Sequence, residues 1–244
     1  GFKIGDVIRW SGWATTGVPN NAHNMVITAL TALVMTVTTL DGVAIGPKAA
    51  GDSVTGVVHG KKTLVPMTTH TDDLFTFEEW YPDLGRSELF SDMKLNQMAL
   101  DIPASGNVKV SFDLTGLRRT RAEVQQMTAP AAETTSAILE ATAAFLSVNG
   151  VKVANVTSIK FSVDEGVTAD GPVVGSDFSP DISRGKVKVS GSFTCYFQDA
   201  TADLQTLYEA ESVLSIIIVL AADQTATSEF VVFNLPRVTL GGDT

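Results

Sequence analysis

Strict alternation of apolar and polar residues recurs along this chain and limits what it can fold into. Residues 108–114 read VKVSFDL, residues 159–163 read IKFSV and residues 186–190 read KVKVS. Successive side chains of a β-strand point to opposite faces, so each run places its apolar residues on one face and its polar residues on the other. The sequence therefore predicts a mainly β protein whose strands each bury one face.

The first 63 residues contain short β-rich runs and are predicted to form a small all-β module. These runs cover residues 7–10, 24–27, 34–40 and 54–58, and Asp41-Gly42 supplies a turn signal after the third of them. Short strands at this spacing are typical of a small barrel or sandwich. Polarity rises over residues 59–63, so we place a boundary there and expect a second domain from residue 64 to residue 244.

The second domain carries further strand and turn signals. Strands are also predicted at residues 74–80, 213–220, 230–235 and 237–240. Asn149-Gly150 separates two β-rich runs and predicts a two-residue hairpin turn, because both residues readily adopt positive φ angles. The longest apolar run, residues 213–222 with Ser215 inside it, has the length of a buried strand. It is well short of the ~18–20 apolar residues that cross a bilayer, so no membrane partner is expected.

One helix is predicted to pack on the strands and close one side of a sandwich. Asp199 or Thr201 can cap its N-terminus, and Leu204, Leu207 and Tyr208 follow at helical spacing. Weaker local patterns lie elsewhere in the chain. They are a second helical pattern at residues 121–126, a helical turn or loop at residues 87–90, and a Thr/Ala-rich loop or mobile arm at residues 128–142.

The net charge argues against tight nucleic-acid binding, and the cysteine content excludes an intrachain disulfide framework. Seventeen Lys and Arg against 27 Asp and Glu give a formal net charge of −10. Tight nucleic-acid binding needs cations that displace the counterions of the phosphates, so a chain this acidic is poorly suited to it. The single Cys195 excludes an intrachain disulfide framework, and its β-rich surroundings indicate a structural thiol.

The candidate chemical motifs are weak, and we expect no catalytic, cofactor-binding or metal site. His70 near Asp72 and Asp73 lacks a second His or Cys at ligand spacing and indicates a solvated loop. Residues 51–56, GDSVTG, do not have the spacing of a nucleophile elbow. The adjacent pair Glu78-Glu79 cannot face each other across a cleft as glycosidase carboxylates do.

Two surface features leave alternatives open. Arg118, Arg119 and Arg121 form the one dense basic cluster, which suits a solvated face, salt bridges between chains, or a partner's carboxylates or phosphates. Trp10 and Trp13 flank Ser11-Gly12 and either fill the core of the small module or, if exposed, stack on sugar rings.

Four stretches of the sequence resemble the major tail tube proteins of long-tailed, non-contractile bacteriophages. They are residues 75–90 (FTFEEWYPDLGRSELF), residues 98–116, residues 149–151 and residues 181–193 (DISRGKVKVSGSF). The opening residues 2–8, FKIGDVI, are similar to small β modules fused to such subunits. Relative to that pattern, we expect further residues before Gly1 and a further strand after Thr244.

The resemblance implies a β-sandwich subunit that forms hexameric rings, stacked into the hollow tail tube through which the genome is ejected. It implies a structural protein of the virion, not an enzyme, assembled in the cytoplasm of the host bacterium. Its partners would be copies of itself, a tape measure protein inside, and terminator and distal tail proteins at the ends. DNA would pass without specific binding, and negative charge in the bore would repel its phosphates. The loop of residues 166–183 is expected at contacts between subunits or rings, and the N-terminal module on the exterior.

Two other functions fit the same strand-rich pattern. A β-sandwich adhesin or carbohydrate-binding tail component would use Trp10 and Trp13 as a stacking platform. A tail enzyme that degrades polysaccharide would need a pair of facing carboxylates.

Overall fold

The computed structural model of the chain describes residues 1–13, 20–47, 53–60, 73–129, 131–153, 156–176, 178–196 and 204–241. The predicted mainly β fold is confirmed. The first strands are β1 (Val7–Ser11), β2 (Met25–Leu30), β3 (Met35–Thr39), β4 (Thr55–His59), β5 (Phe75–Tyr81), β6 (Arg86–Ile102), β7 (Lys109–Thr115) and β8 (Arg118–Ala122). The remaining strands are β9 (Phe145–Val148), β10 (Val151–Val153), β11 (Val156–Asp164), β12 (Thr168–Ala169), β13 (Ile182–Ser183), β14 (Lys188–Cys195), β15 (Val213–Ala221) and β16 (Phe230–Thr239). A 3₁₀ turn (Ala141–Ala143) and one helix, α1 (Leu204–Glu209), complete the described elements.

The strands form three larger antiparallel sheets and one two-stranded ribbon. The N-terminal sheet has the order β3-β2-β1-β4, and the central sheet has the order β10-β9-β15-β16. The large sheet has the order β14-β11-β6-β5, with β7 and β8 also paired to β6. Strands β12 and β13 form the ribbon.

Strand β15 is the middle of the molecule because both of its faces are buried. Leu214, Ile216, Ile218 and Leu220 pack against β6 and β11 of the large sheet, in the first core cluster. Ile217 and Val219 point the other way and pack against Val7 and Val26 of the N-terminal sheet. A strand buried on both faces needs continuous apolar sequence instead of alternation, which explains the run at residues 213–222. The three sheets therefore lie in layers, with the central sheet between the other two.

Hydrogen bonds tie the N-terminal sheet to the β15–β16 turn. Asn24 is fully buried, its backbone N–H donates to Ala226 O at 2.7 Å, and its Nδ2 donates to Ser228 O at 2.8 Å. Arg9 Nε donates to Asn24 Oδ1 at 2.6 Å. The first module thus shares both a core and a polar network with the rest of the chain. The predicted boundary at residue 63 falls within residues 61–72, outside the described part.

Several local predictions are confirmed. Asn149 and Gly150 have φ angles of 50° and 84° in the tight turn between β9 and β10. Leu204 and Leu207 of α1 pack against the first core cluster, whereas the proposed caps Asp199 and Thr201 lie outside the described residues. The two strands predicted at residues 230–240 are one strand, β16, which tolerates Pro236 because it lies at a sheet edge.

Two local predictions are wrong. Residues 121–126 do not form a helix: Arg121 and Ala122 end β8, where they pair with Glu88 and Ser87 of β6. Residues 87–90 lie inside β6 and form neither a helical turn nor a loop. In both places the pairing with a neighbouring strand overrides the local helical preference.

One buried hydroxyl gives a stability prediction. Ser147 on β9 is 1% exposed, and its Oγ has no hydrogen-bond partner among the described residues. Because an unpaired buried hydroxyl costs about 1 kcal/mol or more, we expect Ser147→Ala to raise the free energy of unfolding by about 1 kcal/mol. Thermal unfolding should then shift upward by about 2–4 °C. The control is Ser190→Ala at an exposed site, which should change little; a destabilised Ser147→Ala would contradict the prediction.

Candidate assembly surfaces

Strand β6 organises the candidate surfaces because it has different neighbours along its length. Its C-terminal half pairs with β7 on one side and β11 on the other, and β14 continues the sheet beyond β11. Its N-terminal half pairs with β5 and with β8. The sheet body is therefore the four strands β14-β11-β6-β7, and β5, β8 and the first part of β6 form a three-stranded extension that we call the arm.

The sheet body has one outward face, here called the polar face, on which three rows of residues lie directly opposite one another. The first row is Lys109, Asp101, Lys160 and Ser192; the middle row is Ser111, Ala99, Ser162 and Ser190; the third row is Asp113, Gln97, Asp164 and Lys188. In the middle row, the Ser162 and Ser190 hydroxyls lie 3.0 Å apart and share a hydrogen bond. Lysines, aspartates, small residues and Gln97 make up these three rows.

The two edge strands of the sheet body expose apolar side chains on the opposite, core-side face. Val110 and Phe112 on β7 share that face with Leu100 and Met98, yet about half of each side chain is exposed. Val189 on β14 lies opposite Val163 on the same face and is also about half exposed. The central sheet does not fully cover these positions of the two edge strands. Apolar surface is therefore left uncovered along both edges.

The arginines of the basic cluster lie on the arm and contact residues of the same chain. Arg119 and Arg121 both form ion pairs with Glu88, the latter at 3.2 Å from Nε to Oε1. The Arg119 hydrogen bond is the main cause that lowers the pKa of Glu88 below its usual range. Arg118 stacks on the Phe178 ring at 5.1 Å. Each arginine of the cluster thus has a partner within its own chain.

Glu78 holds the segment that leaves the arm. Its carboxylate accepts the backbone N–H groups of Gln126 and Met127 at 2.6 and 2.7 Å and the hydroxyl of Ser87 at 2.6 Å. These bonds, with the Gln126 bond first, lower the pKa of Glu78. Residues 128–138 have no strand or helix in their described part and are exposed, which fits the predicted loop. Leu139, which follows them, packs against the first core cluster.

A change at Glu78 should release this segment. Replacement by alanine (Glu78→Ala) removes the acceptor, so we expect faster amide exchange at Gln126 and Met127 near neutral pH. Because the folded pKa of Glu78 is lowered, its contribution is present above the unfolded pKa and is lost as the pH falls through the folded value. The ratio of variant to wild-type exchange rates should therefore approach one in acid. Glu79→Ala is the matched control, and equal exchange in both variants would contradict this role.

The other candidate residues pack or pair with residues of the same chain. Trp10 lies over Gly56, where an added Cβ would come within 2.7 Å of its ring, and it contacts Trp13 edge-on with centroids 6.2 Å apart. Both tryptophans are half-buried, and Trp10 packs against the core cluster of Ile8, Met25 and Ile27. His23 pairs with Asp41 at 2.5 Å, and Cys195 is half-buried at the end of β14.

The remaining sequence candidates fall partly outside the described residues. Residues 51–52 of the GDSVTG motif, and His70 with Asp72, lie outside the described residues. Glu78 and Glu79 point to opposite faces of β5, as expected for neighbours on a strand. Within the described ranges, no group of three or more His, Cys, Asp or Glu is arranged to hold a metal ion. No described helix is long and apolar enough to cross a membrane.

Comparison with known protein families shows which family the chain belongs to. A family model described as phage tail tube protein matches residues 11–244, which is nearly the whole chain. The chain belongs to the phage tail tube protein family. This tail tube protein is accordingly a structural component of the virion that assembles with other tail proteins. The match includes most of the N-terminal sheet, so that sheet is part of the family pattern. A search of curated proteins found no match.

Proposed function

We propose that this tail tube protein forms hexameric rings by joining β7 of one copy to β14 of the next, and that stacked rings form the conduit for DNA ejection. Among the described strands, none pairs with the outer edge of β7 or of β14, and this observation carries the proposal. Unpaired edge strands present free N–H and C=O groups that a second copy can satisfy. Assembly takes place in the host cytoplasm, with a tape measure protein inside and terminator and distal tail proteins at the ends.

Strand direction supports this junction. Each of the three pairings within the sheet body is antiparallel, so four strands leave β7 and β14 running in opposite directions. Copies related by rotation about a ring axis then meet with antiparallel edges, and a heterologous contact of this kind closes into a ring. The uncovered apolar side chains Val110, Phe112 and Val189 become neighbours across the junction, which removes their exposed surface from water.

The size of the closed sheet fits a conduit. Six copies of four strands give a barrel of 24 strands. At about 4.8 Å between strands and a tilt of about 40°, its backbone diameter is roughly 48 Å. Barrels of 16–18 strands already leave an aqueous channel, so a barrel of this size has an open bore.

The order of the layers supports one orientation of the wall. The polar face and the N-terminal sheet lie on opposite sides of the molecule, separated by the central sheet. With the N-terminal sheet on the exterior of the tube, the polar face lines the bore. The loop of residues 166–183 projects exposed Val173 and Val174, and we assign it to contacts between subunits or rings.

Electron microscopy of the purified chain tests the proposal. At high protein concentration we expect hollow filaments, with sixfold symmetry in end-on averages of short pieces. A different rotational symmetry would contradict the hexamer but would still agree with a tube. A particle that stays monomeric at all concentrations would contradict assembly through free edges.

A further inference from the structure

We propose that the bore presents a charge-balanced surface, on which a DNA duplex slides without gaining or losing counterions. This inference rests on the proposed function, because it requires the polar face to line the bore. It differs from the expectation drawn from net charge alone, in which acidic residues repel the phosphates along the whole conduit.

The charges of the polar face cancel. Its cations are Lys109, Lys160 and Lys188, and its anions are Asp101, Asp113 and Asp164. Three positive and three negative charges sum to zero, so the whole formal charge of −10 lies elsewhere on the chain. In a ring of six copies, about sixty net negative charges would then lie off the wall.

Each lysine of the polar face also has a carboxylate directly opposite it. Asp101 lies directly between Lys109 and Lys160, and Asp164 lies beside Lys188. Directly opposed Cβ atoms on neighbouring strands are about 4.5–5.5 Å apart, which is shorter than the screening length of about 8 Å at physiological salt. A phosphate that approaches a lysine therefore also meets the carboxylate next to it. The first row has one lysine in excess and the third row has one aspartate, Asp113, in excess, so the six charges balance over the face as a whole.

The middle row of the polar face also lacks groups that bind DNA. Ser111, Ala99, Ser162 and Ser190 carry no charge and no ring, so they offer DNA neither an ion pair nor a stacking platform. Proteins that hold nucleic acid combine cationic grooves with aromatic side chains on which bases stack. The polar face has neither feature, although its three lysines would supply the first if their carboxylates were removed.

Removal of the three carboxylates from the polar face should make the wall of the bore bind DNA. The triple variant Asp101→Asn, Asp113→Asn and Asp164→Asn leaves three lysines per copy, or eighteen per six-membered ring. We expect its tubes to retain a short fluorescent DNA duplex at low salt and to release it as salt rises, with log K falling by about 0.9 per log salt for each phosphate neutralised. Wild-type tubes should retain none at any salt concentration.

A matched control separates the wall from the total charge. Asp83→Asn, Glu123→Gln and Glu133→Gln remove three exposed carboxylates outside the polar face and change the net charge of the chain equally. These tubes should behave like wild type. Equal retention by both variants, retention by wild type, or no retention by the wall variant would overturn the proposal. If the triple wall variant does not assemble, the single variant Asp101→Asn is the substitute. Its tubes should also retain the DNA duplex at low salt, with a smaller salt slope. No retention by these tubes would overturn the proposal equally.

Failure of the proposed function would look different. Absence of tubes in wild-type samples would reject the ring proposal itself. To locate the face, Ser162→Cys in a Cys195→Ser background can be biotinylated before assembly and probed with streptavidin. We expect no decoration of the outer wall. Intact tubes decorated along their length would place the polar face outside and overturn the charge-balanced bore while leaving tube formation standing.

Discussion

A single charge on the β7 edge, Phe112→Asp, should abolish tube formation and leave the subunit folded. Phe112 is 59% exposed in the isolated chain, so its replacement removes little buried surface and should change the free energy of unfolding only slightly. In the proposed junction the same position is covered by the neighbouring β14. A carboxylate buried there without a partner costs several kcal/mol, and this cost recurs at each of the six junctions of a ring.

Sedimentation and negative-stain microscopy would measure tube formation by Phe112→Asp, and thermal unfolding would show whether the subunit is folded. The matched control is Leu33→Asp, at a 95% exposed position on the β2–β3 turn of the N-terminal sheet. It introduces the same group at a site outside the proposed junction and should leave tubes intact. Tubes of normal length from Phe112→Asp would show that the β7 edge is not the contact surface.

Two neighbouring residues of β15, replaced one at a time, should each destabilise the chain strongly. Ile217 and Ile218 are 1% and 3% exposed and point to opposite faces of the strand. Truncation of a buried Ile to Ala costs about 2–5 kcal/mol through lost burial and the cavity left behind. We expect a loss of about 3 kcal/mol for Ile217→Ala and a similar loss for Ile218→Ala.

The comparison between the two variants tests how the N-terminal sheet is attached. Ile218 packs toward the large sheet, so its truncation should be costly in any case. Ile217 lies in the second core cluster, to which the first module contributes Val7, Val26 and Leu40. If the first 63 residues were a loosely tethered module, Ile217 would face solvent and Ile217→Ala would cost well under 1 kcal/mol. Chemical denaturation of both variants would distinguish these cases.

Most strands could be predicted from the sequence because they obey one of two simple rules. Strands β7, β11 and β14 alternate strictly, which gave their location and their buried faces. The Asn149-Gly150 turn followed from backbone preference alone. The continuous apolar run of β15 gave a buried strand, and the same continuity could have indicated that its two faces have two partners.

The longest strand was missed because no single rule holds along it. Strand β6 changes neighbours between the arm and the sheet body, and its register shifts against β5, between Phe75 and Phe77, and against β7, between Leu95 and Gln97. Such irregularities break the period-two pattern on which the prediction depends. The charge pairing of the polar face was equally hidden. Alternation in residues 159–163 places Lys160 on the polar side of its strand, but only the register places Asp101 opposite it.

A high-resolution cryo-electron microscopy map of the assembled filament tests the central claim most directly. The account predicts a continuous antiparallel sheet around the bore, four strands from each copy, with β7 of one copy hydrogen-bonded to β14 of the next. A filament in which those two edges remain unpaired, or in which the N-terminal sheet faces the bore, would contradict it.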